Sequence, residues 1–137
     1  MDFKIIKQWD YYTKDWNELK NEELMKYCAD NGVTSLQSYV YWADVEKQES
    51  KFSFDFYDDL ISRMQKYNLK WVPFLILGPE YSVPEWFHKS DECVYAKCVE
   101  HNEESRIQSI WNPNILKRVD AFIKAVAEHF DHNVIES

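Results

Sequence analysis

Glycine is almost missing from this sequence: Gly32 and Gly78 are the only two in 137 residues. So small a supply excludes a collagen-like repeat and argues against a small, turn-rich β barrel. It leaves no G-x-G-x-x-G and no Walker-type loop after the first β-prone run, which counts against nucleotide binding through a glycine-rich turn. Cysteine is scarce and odd in number. Cys28, Cys93 and Cys98 make a disulfide framework improbable and favour a reducing, cytoplasmic compartment. Basic residues are outnumbered 16 to 24, for a net charge of -8, and they are scattered rather than clustered. Nucleic acid, which needs grouped Lys and Arg against its phosphates, is therefore not expected as a partner. No apolar run approaches a membrane span, and "MDFKIIKQWDYY" is too short and polar for a signal peptide, so no membrane partner is expected.

What the sequence does hold is aromatic: 17% of it is Phe, Trp and Tyr, well above ordinary usage, which speaks against disorder and for a packed core. The length fits one domain. Along the chain, Phe3 to Asp10 is a short β-prone run. Asp15 to Gly32 carries Trp16, Leu19, Leu24, Tyr27 and Cys28 near helical spacing and stops at Asn31-Gly32, a good C-terminal signal. A second β run covers Val33 to Trp42. After a charged loop, Ser53 can cap a helix whose buried stripe is Phe56, Leu60, Ile61, Met64 and Tyr67. The tight Tyr67-Asn68 connection leads to Leu69 to Gly78, the most continuously apolar stretch, as in a strand covered on both faces.

From Pro79 to about Pro113 the sequence reads as a long irregular excursion, with a short helix starting at a proline in "SVPEWF". Excursions of this length in a compact domain are usually functional or disordered. A last helix from Asn114 to about Asp131 shows Ile115, Val119, Phe122, Ile123, Val126 and Phe130 on one stripe, and "NVIES" reads as the opening of a fourth strand. The order β-α-β-α-β-loop-α-β implies parallel strands joined by right-handed crossovers. Both an open doubly wound sheet and a (β/α)8 barrel satisfy it. The strand exits hold Trp9 and Asp10, then Tyr41 and Trp42, then Glu80 and Tyr81. Barrels place function at that end of their strands, so the pattern favours a partial (β/α)8 (TIM) barrel of class α/β.

The segment from Glu23 to Leu77 resembles the second and third βα units of retaining glycosidase barrels of the family-42 β-galactosidase type. In that family a strand ending in Trp is followed by "W-x-x-(L/V)-E-P-x-x-G-x-F-x-F" and then "(Y/L)D-x-(L/I)". Trp42, Val45, Glu46, Phe52, Phe54 and Asp58 match it position by position. "SVPEWF" is similar to the family's "PPAWL" turn, and "WNPNILKRVDAFIKAVAEHF" to its "PNSPAYREYVRRLVEALAERY". The same strands resemble, more distantly, family-14 β-amylases, whose "D-V-W-W-G-x-V-E" stands against "Y-V-Y-W-A-D-V-E" here, with Tyr39 where that family places an aspartate. The resemblance implies an N-terminal part, residues 1–137, of a glycosidase barrel. Its catalytic glutamates lie at the ends of strands four and seven, beyond Ser137. Glu136 sits at the start of strand four and is not taken for the acid/base.

Retaining glycosidases need two carboxyl groups about 5 Å apart. Asp10, Glu80 and Glu85 are the acids at strand exits here. Asp10 and Glu80 are expected to accept hydroxyl hydrogen bonds, and no catalytic pair is expected within the chain. A pyranose has apolar C–H faces and a rim of hydroxyls, so it stacks on aromatic planes beside polar groups. Trp9, Tyr41, Trp42 and Trp111 are the aromatic candidates. By resemblance, Arg106 and Asn112 correspond to an arginine and an Asn-containing segment bordering the substrate subsite. Glu46 reads as a holder of the loop after it, through a salt bridge. Cys93, Cys98 and His101 are spaced C-x4-C-x2-H, which lacks a fourth ligand and fits no standard zinc site, so no metal or cofactor is expected. His88, His129 and His132 read as surface residues. The partner expected is a carbohydrate substrate. The chain alone is expected to be catalytically silent, with self-association through exposed barrel edges, up to a dimeric half-barrel. The alternative is a non-catalytic α/β carbohydrate-binding or scaffold module complete at this length.

Overall fold

A computed structural model describes residues 3–9, 20–100 and 102–136, with only the backbone of residues 103 and 104. Three strands, β1 (Ile6–Gln8), β2 (Ser35–Tyr41) and β3 (Lys70–Ile76), form one sheet in that order. β1 and β2 are parallel, with Ile6 opposite Ser35 and Gln8 opposite Gln37. Residue 135 continues the pattern: Ile135 bridges Trp71 in parallel, with Trp71 N–H on the Val134 carbonyl (2.8 Å) and Glu136 N–H on the Trp71 carbonyl (2.9 Å). The first three βα units of a (β/α)8 barrel and the start of its fourth strand are thus in place. The chain divides into two compact units, one of Met1–Tyr39, Phe54–Phe74 and Phe130–Ser137, the other of Val40–Ser53 and Leu75–His129.

In the first unit, α1 (Glu22–Asp30) starts on Asn21, whose Oδ1 accepts from the N–H groups of Glu23 and Leu24 (3.1 and 3.2 Å). It ends in a Schellman motif. Val33 N–H reaches the Cys28 carbonyl (3.0 Å), Gly32 N–H reaches that of Ala29 (3.1 Å), and Gly32 takes φ 86°, which only glycine adopts without strain. The helix α3 (Asp55–Gln65) closes in the same way. Leu69 and Asn68 N–H groups reach the Met64 and Gln65 carbonyls, and Asn68 takes φ 58°. The expected stop signals at Asn31-Gly32 and Tyr67-Asn68 both act as read.

Two expectations for these helices need correcting. Phe54, one residue beyond the Ser53 expected there, occupies the cap position of α3, Ser53 N–H goes to the Val45 carbonyl, and Asp55 and Asp58 place negative charge at the first turn. On α1 the buried residues are Met25 and Cys28, while Leu24 and Tyr27 face out. The rotation follows Glu22, whose carboxylate takes bonds from Arg63 (3.2 Å), Lys66 (2.9 Å) and Tyr67 (3.2 Å). The expected Trp16 and Leu19 lie outside the described residues. The core here is aromatic. Trp71 is fully buried, its indole N–H donating to Ser38 (2.8 Å), with Tyr57 and Phe130 against its ring and Phe130 edge-on to Phe54.

In the second unit the chain leaves β2 directly into a one-turn helix, α2 (Trp42–Val45). After β3 comes a 3-10 turn at Glu80–Ser82, then α4 (Glu85–His88), which begins at Pro84 as "SVPEWF" predicts. The stretch read as irregular holds an antiparallel hairpin, β4 (Tyr95–Cys98) with β5 (Glu103–Gln108), irregular in register between Tyr95 and Lys97. The last helix, α5 (Pro113–His129), buries Ile115, Phe122 and Val126, while Ile123 is exposed. Arg118 ties α5 down. It donates to Glu92 (2.9 and 3.1 Å) and Glu49 (2.6 Å) and lies over the Trp86 ring, 5.2 Å from its centroid.

Candidate functional site

The C-terminal ends of β2 and β3 deliver α2, the 3-10 turn and α4 to one region of the second unit, and there a cleft of about 420 Å³ opens. Its polar lining is Lys47, Glu80, Tyr81, Glu85, His88 and Arg106, with Ala43, Val83 and Pro84 as its apolar part. The hairpin supplies Arg106. Its Nη1 donates to Glu80 Oε1 at 2.7 Å, and its Nη2 lies 3.7 Å from Glu85 Oε2. One guanidinium thus orients two carboxylates from two neighbouring helical turns. A hydrogen bond with Tyr95, and after it the charge of Glu80, holds the Arg106 proton more firmly than usual.

His88 completes the frame. Its Nε2 is 3.1 Å from the Glu80 carbonyl and its Nδ1 3.0 Å from the Tyr95 hydroxyl. A carbonyl only accepts, so Nε2 donates to it, while Nδ1 faces a hydroxyl that can give or take a hydrogen bond. His88 is half-buried in the cleft wall, not the surface residue its charged neighbours imply. The arrangement offers fixed hydrogen-bond donors and acceptors around a partly apolar hollow.

The residues singled out in the sequence fare differently. Glu80 and Arg106 line the cleft together, and Tyr41 stands behind it, half-buried and edge-on to Tyr81 (5.7 Å, 78°). Trp42 does not present a face. It is completely buried against Trp86 and Phe87, and its indole N–H donates to Glu46 at 2.6 Å. A one-turn helix starting at residue 42 turns the ring inward, where the strand read through Trp42 would leave it at an exit. Asn112 is buried too. Its Nδ2 donates to the Glu92 carbonyl (2.7 Å) and its Oδ1 accepts Asn114 N–H (3.0 Å), which makes it a cap of α5. Trp111 is 86% exposed on the turn before α5. Trp9 belongs to the first unit, half-buried, with its backbone N–H on the Gln37 carbonyl (2.9 Å). Asp10 lies outside the described residues.

Glu46 does hold its loop, by hydrogen bonds where a salt bridge was expected: Oε1 accepts Ser50 N–H (2.7 Å) and Oε2 the Trp42 indole. Cys93 contacts the buried Gln108 amide (3.2 Å), and His101 lies outside the described residues. Among the described residues no group of three or more His, Cys, Asp or Glu is placed to hold a metal ion. Sequence reasoning left out Lys47, Tyr81 and His88. Tyr81 had a signal, since it follows Glu80 at a strand exit. His88 had none until the hairpin carried Tyr95 to it.

The family model described as Beta-galactosidase, glycosyl hydrolase family 42, matches residues 10–135. No curated protein matches the sequence. Among solved structures, the catalytic domain of β-amylase from Paenibacillus polymyxa is similar with a TM-score of 0.77 and 21% identity, over 94% of this chain and 34% of that one. The β-galactosidase of the Antarctic haloarchaeon Halorubrum lacusprofundi follows at 0.71 and 13% identity, over 100% and 20%. That of the psychrophilic Marinomonas ef1 stands at 0.68 and 14%, over 100% and 21%. The chain therefore spans a fifth to a third of the length of these barrels.

Proposed function

The chain belongs to glycosyl hydrolase family 42, and on that premise we propose that it forms one wall of the sugar cleft of a β-galactosidase-like glycosidase barrel. The observation that carries this reading is the Arg106–Glu80–Glu85 ion cluster, set at the rim of a cleft where β2 and β3 end. In a barrel, strand exits are where substrates bind. A guanidinium locked between carboxylates leaves N–H donors and carboxylate lone pairs aimed at fixed points, and hydroxyl pairs on a sugar ring supply both acceptors and donors at matching spacing.

In this role the residues bind and orient substrate. Bond cleavage with retention needs a carboxylate nucleophile and a carboxylic acid, which in this reading come from strands outside these residues. Binding of methyl β-D-galactopyranoside to the 137-residue chain, followed by saturation-transfer NMR, tests the proposal. Arg106→Ala is expected to weaken binding at least tenfold, because two carboxylates lose their common partner. Undisturbed binding by Arg106→Ala, or no binding by the parent chain, removes the reading. Hydrolysis of a nitrophenyl galactoside by the chain alone would show that a catalytic pair lies within it.

A further inference from the structure

Asn31 and Gly32 form the only Asn-Gly pair in the sequence, and both are exposed where α1 ends. A glycine after an asparagine carries no Cβ to keep its backbone nitrogen from the side-chain amide before it. That nitrogen, once hydroxide has removed its proton, can attack Cγ of the asparagine. The N–Cγ bond forms, the Cγ–Nδ2 bond breaks, and Nδ2 departs as ammonia, taking a proton from water. Water then opens the cyclic imide at either carbonyl and yields aspartate or an isoaspartyl linkage. The net exchange takes up water, releases ammonia and leaves a carboxyl group.

In the folded chain both reacting groups are engaged. Gly32 N–H lies on the Ala29 carbonyl at 3.1 Å. Asn31 Nδ2 donates to the Tyr27 carbonyl at 2.8 Å, which turns the side-chain amide back along the helix. Asn31 N–H goes to the Tyr27 and Cys28 carbonyls as well, at 3.2 Å each. Attack needs the Gly32 nitrogen freed of its bond and Cγ swung toward it, so the closed cap holds the pair apart. The reaction therefore waits on opening of this last turn, a local event with its own free energy.

The product does not fit the closed cap. A carboxylate at residue 31 sets an acceptor against the Tyr27 carbonyl, where Nδ2 donated before. It also adds negative charge at the negative end of α1, whose last turn has no basic residue and whose Lys26 is already paired with Asp30. An isoaspartyl linkage lengthens the backbone, so the Gly32–Ala29 and Val33–Cys28 bonds lose their register. Thr34 follows directly and ties the strands together. Its Oγ1 accepts Ile5 N–H (2.9 Å) and its carbonyl accepts Lys70 N–H (3.0 Å).

We propose that Asn31 is a deamidation site gated by the C-terminal cap of α1, and that the reaction leaves this cap open beside the start of β2. The full chain is held in mildly alkaline buffer, with and without urea, and its peptides are mapped by mass spectrometry. Amide hydrogen exchange of Gly32 and Val33 measures cap opening independently. Isoaspartate is expected at residue 31 ahead of every other asparagine. Its formation is expected to be about tenfold or more slower in the folded chain, by the factor that the exchange protection of those two amides gives. Asn31→Asp, which carries one product from the start, is expected to speed exchange at Gly32 and Val33 about tenfold. Equal rates with and without urea overturn the gate. Reaction at another asparagine first, or none at residue 31 of the folded chain once the unfolded chain is fully converted, overturns the site. Unchanged exchange in Asn31→Asp overturns the lasting opening. Should that variant not fold, deamidated parent chain separated by ion exchange gives the same reading.

Discussion

Replacing Glu46 by alanine isolates what a buried carboxylate contributes to this fold. Glu46 is 3% exposed and accepts two hydrogen bonds, at 2.6 Å from the Trp42 indole and 2.7 Å from Ser50 N–H. The two donors are not equivalent. Trp42 is inaccessible to water, so its orphaned N–H bears the full cost of an unmade bond, about 1–3 kcal/mol. Ser50 is exposed and rehydrates, but its left-handed φ of 60° loses the bond that fixes it, which adds about 1 kcal/mol. The sum for Glu46→Ala is on the order of 2–4 kcal/mol, or roughly 10 °C in melting temperature for a chain of this size. Glu46→Gln keeps an acceptor for one donor only and is expected to lose about half as much. Urea unfolding followed by far-UV dichroism measures both. A double-mutant cycle with Trp42→Phe then isolates the indole bond, with an expected coupling of about 1–3 kcal/mol. If Glu46→Ala unfolds within about 0.5 kcal/mol of the parent, or the cycle shows no coupling, the holding role assigned to Glu46 is wrong.

Two further outcomes concern the first unit. Gly32→Ala places a Cβ where nothing lies within 4 Å, so its only penalty is the positive φ, and a loss of about 1–2 kcal/mol in chemical denaturation is expected; a neutral result would mean that the turn relaxes freely. Glu136 accepts from Ser35 (2.9 Å) and pairs with Lys4 (2.5 Å), and these bonds, Lys4 foremost, hold its carboxyl below the ordinary value of 4.5. A lowered folded-state value means stability that is present above that range and lost as pH falls through it. The gap between the parent and Glu136→Gln should therefore be widest at neutral pH and close in acid. A gap that does not change with pH would rule out the ionised pair as its source.

The elements that a sequence reader finds here are those whose signals are local. Asn31-Gly32 and Tyr67-Asn68 announce left-handed closures, and Pro84 announces a helix start, because each depends only on its own backbone. The β4–β5 hairpin escaped because its apolar residues are not buried: Val94, Val99 and Ile107 are 50%, 89% and 50% exposed. Alternation reveals a strand only where one face enters a core. The same limit divided the site. Glu80 was legible at a strand exit, and Arg106 through resemblance, but their pairing spans 26 residues through the unseen hairpin. Trp42 is buried and Tyr81 exposed for one reason. An aromatic at a strand exit turns inward or outward according to which way the next turn winds, and composition does not encode that.

The two units are interleaved along the chain, and this sets an order of events during synthesis. Residues 54–74 emerge from the ribosome before 75–129, yet the unit they belong to is closed by contacts as distant as Ser35 with Glu136, 101 residues apart. A nascent chain released as far as His129 has every part of the second unit and still lacks the backbone pairing of Trp71 with residues 134–136. Until residues 134–136 arrive, the flank of β3 carries open N–H and C=O groups. Aggregation during translation is thus a hazard of the interval in which the second unit has emerged and that edge still awaits its partner.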